Sequence, residues 1–485
     1  MSQIGKSIKK IGILGGGISG LSSGYFLNKK FPDAQIDIYE KDDQVSGALQ
    51  TKIIGSQIYD LGPRSLRNGP NVRGLLQILE EAENLDRIIP SKEYDYVYLY
   101  YDGKMRLVPR GKSPSVILKF IKDNPKLFLS VYKGFALKSK NSQNNIKGDL
   151  TINELLKNKL AIGPLQLTGL SDFLSDYFAN AVFSGIYRAN SSELSADVCL
   201  KKSYVKDYFE KYLDSSQQME VSDELKVFID EKIKPVSSFN FSGGLQVLPD
   251  SIVQILSQKN GLVNFKTNSP VQELIFQENE KIKIVSENQE QQYDMVISAL
   301  HADQLSKILN QQQSIDLKQN LSSIRHMTTL TTNIGYKEDL IPNQYKCFGA
   351  LVPNNQYFEG LGLILNSCVF PQFSGDFKTN ISLFLSDHVN KDIVNDDEKI
   401  QKVVEKCLYE MLGVKQKPDF FNVKNWKDFF PVYEKNHLPK VYKMLKQSQN
   451  LNKNFYLHGN YLFTGAIPDL VLLSETIANI ASKKI

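Results

Sequence analysis

Residues 9–40 read KKIGILGGGISGLSSGYFLNKKFPDAQIDIYE, and this stretch decides the fold class. An apolar run at 11–14 precedes a glycine turn with the spacing GxGxxG, from Gly15 to Gly20. Apolar residues then recur at helical spacing up to Lys30, and residues 36–39 alternate like a second strand that ends at Glu40. This order of strand, glycine turn, helix, strand and acid predicts a doubly wound α/β domain that binds a dinucleotide.

The spacing of the glycines has a chemical reason. Gly15 permits the tight turn, Gly17 lets backbone N–H groups approach a pyrophosphate, and Gly20 lets the helix pack close to the sheet. The free N–H groups and the dipole at the start of the helix then stabilise the diphosphate, and Glu40 accepts hydrogen bonds from ribose hydroxyls. The residues that this fingerprint predicts to bind the cofactor are Gly15, Gly16, Gly17, Ile18, Ser19, Gly20 and Glu40.

Length and composition limit the protein class. A chain of 485 residues is too long for one core, so two or three domains are expected. The 41% apolar and 23% charged residues are typical of a globular protein. No run of about 18 apolar residues occurs, so we do not expect a spanning helix. Only about ten residues precede the first strand and they lack an apolar h-region, so we expect no cleaved secretory signal. The four cysteines are far apart and without CxxC spacing, which predicts free buried thiols rather than a zinc site or disulfides: Cys199, Cys347, Cys368 and Cys407.

The net charge of +5 conceals an uneven distribution along the chain. Residues 104–147 contain eleven Lys or Arg and one acid, Asp123, which gives +10 and leaves about −5 for the remainder. Aromatic and aliphatic residues are interleaved with these basic ones. The pattern suits a segment that lies on an anionic membrane surface, and it equally suits a solvated helical face with an ordinary buried stripe.

Two later segments separate a flavin from a nicotinamide cofactor. VSGALQT at 45–51 and YDLGPRS at 59–65 resemble the glycine-rich segment and the flavin-contacting loop of FAD oxidases of the amine-oxidase type. The sequence has no second GxGxxG for a nicotinamide nucleotide. The flavin is therefore expected to take electrons from the substrate and to pass them to oxygen or a quinone.

Further motifs extend this resemblance from residue 9 to residue 480. They are FSGIY at 183–187 with ELS at 193–195, FSGGL at 241–245, PVY at 431–433 and GAIPD at 465–469. With them the chain resembles the FAD-containing, oxygen-dependent protoporphyrinogen oxidases of the flavin amine oxidase superfamily. It departs from that family at Ser46 and Thr464, where glycines are usual, and at Gln50, where a basic residue is frequent. The family's basic residue before the strand at 97–101, implicated in holding a propionate, is also missing.

The resemblance implies a set of site residues and a domain plan. Non-covalent FAD would be contacted, beyond the glycine turn and Glu40, by Lys41, Ala48, Gly62, Pro63, Arg64, Ser65, Val271, Gly465, Ala466 and Ile467, and Gly185 and Phe384 would line the substrate cavity. The implied plan has a discontinuous FAD-binding domain (1–88, 236–300 and 445–485), a mixed-sheet substrate domain (89–103 and 301–444) and a helical membrane-associating domain (104–235).

The implied reaction is the oxidation of protoporphyrinogen IX to protoporphyrin IX, the penultimate step of haem biosynthesis. It would run in three two-electron rounds, with oxygen as acceptor and hydrogen peroxide as by-product. The flavin N5 carries this chemistry, so no side chain is assigned as a catalytic acid or base, no metal is expected, and the five histidines are interpreted as structural. The resemblance also implies monotopic attachment to the mitochondrial inner membrane. It allows a homodimer and a hand-over of product to ferrochelatase, and no nucleic-acid partner is expected.

Two alternatives stay open at this stage. The first is another FAD oxidase of the same superfamily, acting on an amine or a carotenoid-like polyene. The second is a flavin-binding chain that no longer catalyses and serves as a membrane-attached partner, an alternative that the changes at Gln50 and Thr464 leave open.

Overall fold

The computed structural model of the chain describes residues 8–110, 113–123, 148–160, 173–202, 204, 208, 221–259, 261–287, 289–356, 358–386 and 393–484. Its strands are β1 (Lys10–Leu14), β2 (Gln35–Tyr39), β3 (Thr51–Ile54), β4 (Gln57–Asp60), β5 (Leu66–Arg67), β6 (Ile88–Pro90), β7 (Tyr96–Tyr101), β8 (Lys104–Pro109), β9 (Ser238–Phe241), β10 (Val263–Lys266), β11 (Val271–Phe276), β12 (Ile282–Ser286), β13 (Gln289–Tyr293), β14 (Met295–Ser298), β15 (His326–Tyr336), β16 (Gly349–Leu351), β17 (Gly360–Ile364), β18 (Thr379–Ser386), β19 (Phe420–Pro431) and β20 (Phe455–Leu457).

The α-helices are α1 (Ile18–Lys30), α2 (Arg73–Glu81), α3 (Pro114–Asp123), α4 (Ile152–Leu160), α5 (Asn180–Tyr187), α6 (Ala196–Cys199), α7 (Asp223–Phe228), α8 (Val247–Ser257), α9 (Ala302–Ile308), α10 (Ile315–Ser322), α11 (Asn366–Val369), α12 (Asp397–Leu412), α13 (His437–Leu451) and α14 (Ile467–Lys483). Single π-helical segments, Phe173–Ala179 and Ile229–Ile233, adjoin α5 and α7.

A five-stranded parallel sheet carries the glycine turn. Its order is β10-β2-β1-β14-β20, and Leu14 at the end of β1 lies opposite both Tyr39 and Ser298. All five carboxyl ends therefore lie along one edge, where an open α/β sheet binds its ligands. The doubly wound α/β fold that the sequence predicted is confirmed.

Helix α14 brings the last residues of the chain onto the first helix. Ser22 of α1 and Ser474 of α14 share a buried hydrogen bond of 2.7 Å between their Oγ atoms. Small side chains at this contact let the two helix backbones approach closely. One apolar core surrounds the parallel sheet and includes Ile13, Ile297 and Ile477. The N-terminal and C-terminal segments of the chain thus form one cofactor-binding layer.

The second large sheet is mixed and has the order β19-β15-β18-β17-β16-β7-β8. Strand β7 runs parallel to β16, while the remaining neighbours are antiparallel. Asn333 lies opposite Ser382, and Thr331 lies opposite Phe384. Because side chains alternate across a strand, these four residues lie on one face of the sheet. A separate apolar core on this sheet includes Val404 and Leu408 of α12.

The hairpin of β7 and β8 spans the boundary predicted after residue 103 between the substrate domain and the helical segment. Strands β7 and β8 form a hairpin whose turn is Asp102-Gly103, with φ values of 53° and 65°. An Asp-Gly pair adopts positive φ readily and closes a two-residue hairpin turn. Residues 104–109 therefore belong to the mixed sheet instead of to a helical domain.

The described part of the basic stretch contains one helix, α3. Its Val116 and Phe120 pack against the core of the mixed sheet, whereas Leu118 is 66% exposed and Ile117 is 38% exposed. Lys119 and Lys122 are exposed on the same helix. The remaining residues of the stretch, 111–112 and 124–147 with Lys126 and Lys133, lie outside the described residues. Within the described ranges, the structure contains no helix with the length and apolar character needed to cross a membrane.

Candidate functional site: a dinucleotide cleft facing an aromatic surface

The glycine turn joins β1 to α1 at the ligand-binding edge of the parallel sheet. Gly15 has a φ of +98°, and its N–H donates to the Tyr39 carbonyl at 2.8 Å. The N–H of Gly16 donates to Oε2 of Glu40 at 2.8 Å, and Oε1 of Glu40 accepts from Asp42 N–H at 3.0 Å. The carboxylate that the sequence assigned to ribose binding therefore also holds the turn in shape. Each of its oxygens has a further lone pair for a ribose hydroxyl.

Helix α1 begins without a side-chain cap. Gly17 occupies the N-cap position with φ −76° and ψ −178°, and no side chain accepts from the first turn, which contains Ile18 and Ser19. The first N–H groups of a helix have no partner within the helix, so here they are available to an anion.

The space in front of this helix start fits a pyrophosphate. A Cβ atom added to Gly17 would have Gly47 Cα, at 3.7 Å, as its nearest neighbour, whereas one added to Gly20 would lie 1.8 Å from the Gly15 carbonyl oxygen. A side chain at residue 17 would thus make only an ordinary contact with Gly47, whereas one at residue 20 would clash with backbone. The hydroxyls of Ser46, next to Gly47, and of Ser298, at the end of β14, are buried without a protein hydrogen-bond partner. A bound dinucleotide would satisfy unpaired buried donors of this kind.

Asp60 fixes the start of the predicted flavin loop. Its buried carboxylate accepts hydrogen bonds from Thr51 Oγ1 at 2.6 Å, Asn240 Nδ2 at 2.7 Å and Leu245 N–H at 2.8 Å. Burial raises the pKa of Asp60, and the three hydrogen bonds oppose that rise. The loop then packs against the glycine-rich segment, because a Cβ atom on Gly62 would come within 2.1 Å of the Ala48 carbonyl oxygen. Gly62 and Ala48 therefore lie together, and Pro63 and Ser65 continue the loop.

Arg64 connects this loop to the mixed sheet. Its Nη2 donates to Asn333 Oδ1 at 2.9 Å, and the same oxygen accepts from Ser382 Oγ at 3.1 Å. Nε and Nη1 of Arg64 are buried with no hydrogen-bond partner. Burial lowers the pKa of Arg64 to about 10. The guanidinium therefore stays charged at neutral pH and has two donors left for a ligand.

Sequence reasoning missed Trp426, the only tryptophan in the chain. Its Nε1–H donates to the Leu61 carbonyl at 2.9 Å, so the indole holds the flavin loop from β19. It also missed Asn333. Both residues reach the loop from a strand more than 250 residues away, a contact that no local pattern indicates.

The last predicted flavin contact lies at the start of α14. Gly465 and Ala466 are exposed, and Ile467 begins the helix. Thr464, which stands where the family has glycine, accepts a hydrogen bond from Ala466 N–H at 3.1 Å. Because α14 packs on α1, this helix start belongs to the same layer as the glycine turn.

Val271 and Lys41 occupy the opposite end of the cleft. The N–H of Ser269 donates to the Glu40 carbonyl at 2.8 Å, which brings the start of β11 at Val271 next to the end of β2. This position agrees with a backbone contact on the adenine side. The Lys41 side chain, by contrast, is exposed and pairs with Asp42 at 2.7 Å, so only its backbone borders the cleft.

The predicted substrate residues meet at the face of the mixed sheet that Arg64 also contacts. Phe384 lies with its ring centroid 5.8 Å from Cζ of Arg64 and 4.6 Å from Cζ of Arg188. Gly185 precedes Arg188 on α5, and a Cβ atom there would lie 2.9 Å from Leu351 Cδ2. Arg188 was not predicted, because neither its position nor a motif indicates that it faces Phe384.

Three of the described histidines are buried and have pKa values well below neutrality. Burial lowers the pKa of His301 and His437 to about 4 and that of His458 to about 3. Nε2 of His437 lies 2.9 Å from the Tyr461 carbonyl, a structural hydrogen bond, and His388 lies outside the described residues. The four cysteines are buried as free thiols. Within the described part of the chain, no group of three or more His, Cys, Asp or Glu residues could hold a metal ion.

The sequence profile of the flavin-containing amine oxidoreductase family matches residues 18–472, which is most of the chain. The protein belongs to this family. Its members are flavin-dependent oxidoreductases, and this chain is accordingly an enzyme that uses a flavin.

Similarity to curated relatives covers nearly the full length. The chain is 23% identical over 481 residues to protoporphyrinogen oxidase 2, chloroplastic/mitochondrial, of Arabidopsis thaliana, covering 93% of this chain and 90% of that one. It is 24% identical to protoporphyrinogen oxidase of Dictyostelium discoideum, with 97% and 98% covered. Coproporphyrinogen III oxidase of Staphylococcus aureus is 21% identical, again with 97% and 98% covered.

Solved structures show the same fold. A protein from an Exiguobacterium species, provisionally assigned as a protoporphyrinogen oxidase, aligns with a TM-score of 0.78 at 16% identity over 100% of both chains. Cyclohexylamine oxidase from Brevibacterium oxydans aligns with a TM-score of 0.65 at 13% identity over 99% of both. Proteins named for the oxidation of a porphyrinogen and of an amine thus share this fold.

Proposed function

We propose that the enzyme oxidises protoporphyrinogen IX to protoporphyrin IX with non-covalently bound FAD and molecular oxygen. Each porphyrinogen would give up six electrons in three rounds, and each round would release one hydrogen peroxide. The observation that carries the proposal is the position of Phe384, whose ring lies 5.8 Å from the guanidinium of Arg64 in the flavin loop. This arrangement sets an aromatic surface suited to an apolar macrocycle beside the cofactor.

Bound FAD would supply the two-electron oxidation. The chain's own residues bind and orient the reactants. Gly17 and the uncapped start of α1 receive the diphosphate, and Arg64, Asn333 and Trp426 hold the flavin loop against the mixed sheet. Phe384 presents the apolar surface and excludes water from it. The aromaticity of the product drives the reaction, so the site needs no strong acid or base.

A second substrate is favoured by one relative. Coproporphyrinogen III carries the same ring system with four carboxylates, and a relative named for its oxidation covers 97% of this chain. We propose protoporphyrinogen IX as the main substrate because the relatives bearing that name are more similar. Amine substrates are less favoured, since the cation of an amine would be repelled by the two guanidinium groups near Phe384.

The test is a comparison of substrates on the purified holoenzyme. Protoporphyrinogen IX, coproporphyrinogen III and putrescine are supplied in turn, and porphyrin fluorescence and peroxide are recorded. We expect the highest kcat/KM with protoporphyrinogen IX and about three peroxides per porphyrin. Gly17→Val, which should lose the flavin, controls for spontaneous oxidation. A rate equal to that control with both porphyrinogens, or turnover of putrescine alone, would contradict the proposal.

We further propose that the enzyme attaches monotopically to an anionic membrane, the mitochondrial inner membrane in the cell. Support comes from α3, where the exposed Leu118 lies beside the exposed Lys119. Each basic residue near such a surface contributes about 1 kcal/mol, and salt weakens it. A homodimer and transfer of product to ferrochelatase are compatible with this placement.

Liposome flotation tests the attachment. Neutralising Lys119, Lys122, Lys126 and Lys133 together should reduce binding to anionic vesicles while flavin content stays intact. The matched control neutralises four exposed lysines elsewhere: Lys30, Lys402, Lys417 and Lys446. Equal flotation of the two variants, or equal binding of the wild type to neutral lipid, would show that the basic stretch is only a solvated face.

A further inference from the structure

Two guanidinium groups share one aromatic ring at the substrate face. Cζ of Arg188 lies 4.6 Å from the centroid of Phe384, and Cζ of Arg64 lies 5.8 Å from the same centroid. In the described part of the chain, no carboxylate oxygen lies within 4.0 Å of a nitrogen of either guanidinium group, so neither arginine forms an ion pair. Nε of Arg188, like Nε and Nη1 of Arg64, is shielded from solvent and lacks a hydrogen-bond partner.

This arrangement is unfavourable for the protein alone. Burial, and after it the charge of Arg64, lowers the pKa of Arg188 to about 10. Both groups nevertheless remain protonated at neutral pH. Asp60 offsets part of the charge of Arg64, whereas Arg188 has only the repulsion of Arg64, so an anion bound between the two guanidinium groups would stabilise them.

The backbone at Arg188 supports a role for this side chain. The residue ends α5 in the left-handed region, with φ 59° and ψ 17°, where glycine is preferred. Its Nη1 donates to the Gly185 carbonyl, which fixes the guanidinium near Phe384 and 5.6 Å from the Phe430 centroid. A non-glycine residue kept in such a conformation points to function.

We infer that Arg188, together with Arg64, forms an anion site that binds a carboxylate of the substrate whose ring system packs on Phe384. The inference rests on the proposed function, because the proposed substrate carries two propionates that need a cationic partner. A planar guanidinium binds a carboxylate through two parallel hydrogen bonds, which also orients the macrocycle. Arg188 would thus supply the anchor that Tyr96-Val97-Tyr98 does not provide.

Steady-state kinetics with an acid and its ester test the assignment. In Arg188→Gln the KM for protoporphyrinogen IX should rise about 10–100-fold with kcat within about twofold, the loss expected for one charge-assisted contact. The dimethyl ester of the same porphyrinogen should show equal KM values with wild type and variant. Arg188→Lys should recover part of the affinity for the acid only.

Arg110→Gln is the matched control. Cζ of Arg110 also lies over a phenylalanine ring, 5.2 Å from the centroid of Phe348, and the substitution removes the same charge. It should change the KM of neither substrate. A KM for the acid that is unchanged in Arg188→Gln, or a loss that is equal for acid and ester, would overturn the anion site.

A binding measurement separates this inference from the proposed reaction. Calorimetric titration of the holoenzyme with 4-phenylbutanoate and with 4-phenylbutan-1-ol compares a carboxylate with a neutral analogue. We expect the wild type to bind the carboxylate more tightly than the alcohol. The Arg188→Gln variant should bind the carboxylate at least about tenfold more weakly than the Arg110→Gln variant does. This result would support the anion site even for an enzyme that oxidises no porphyrinogen. No preference for the carboxylate, or a preference that Arg188→Gln retains, would overturn it whichever substrate the enzyme oxidises.

Discussion

Gly17→Val should separate cofactor binding from folding. A Cβ atom at residue 17 would meet only Gly47 Cα, at 3.7 Å, which is an ordinary contact. The backbone at φ −76° and ψ −178° is extended, and valine adopts that conformation without strain. The apoprotein should therefore fold with a Tm close to that of wild type. The new side chain would fill the space that the pyrophosphate needs in order to reach the helix start.

The size of the effect follows from the hydrogen bonds that are lost. If two backbone N–H groups can no longer reach the diphosphate, at about 1.5–3 kcal/mol each, FAD affinity should fall about 10²–10⁴-fold. The assay is the flavin absorbance released by acid precipitation, per mole of protein, together with the Tm of the apoprotein.

Two glycine variants complete the comparison. Gly69→Ala, whose Cβ would meet nothing within 4 Å, should keep full flavin content, while Gly20→Ala, whose Cβ would lie 1.8 Å from the Gly15 carbonyl oxygen, should lower the Tm. Release of yellow flavin from wild type, rather than retention in the pellet, would establish non-covalent binding. Full flavin content in Gly17→Val would refute the assignment of this turn.

Three further predictions concern stability and the flavin loop. Asn333→Ala removes the acceptor of Arg64 and should lower the free energy of unfolding in urea by about 2–3 kcal/mol. Asn422→Ala on the neighbouring strand, where Oδ1 has no hydrogen-bond partner, should lower it less, and equal losses would contradict this prediction. Burial lowers the pKa of His437 from its ordinary value near 6.5 to about 4. As the pH drops, the unfolded chain therefore binds a proton at this residue before the folded chain does, and the free energy of unfolding should fall between about pH 6.5 and about pH 4. His437→Gln should reduce that pH slope by about one proton, and an unchanged slope would show that other groups cause it. Trp426→Phe removes the donor to Leu61 and should weaken FAD binding several-fold with little change in Tm, as measured by flavin titration of apoprotein; unaltered affinity would mean that the loop holds its shape without the indole.

The segments that sequence patterns located best are those stabilised by neighbouring residues. The helix predicted to run up to Lys30 ends there in the structure, and the strand predicted at 36–39 corresponds to β2. Glycine spacing and apolar periodicity act within a few residues, so the sequence displays them directly. The Asp102-Gly103 pair is a further local signal, for the hairpin that spans the boundary predicted after residue 103.

The sequence by itself determined the cofactor class, because the glycine turn, the acid at Glu40 and the loop from Gly62 to Ser65 are contiguous motifs with fixed spacing. Only the tertiary structure decided how the substrate face is built. Arg64, Arg188 and Phe384 come from a loop, a helix end and the strand β18, and no periodicity relates them. The strand register and the packing of α5 place them together, and both depend on contacts between residues far apart in the chain. The burial that brings Arg188 and Arg64 to one aromatic ring likewise exists only in the folded protein.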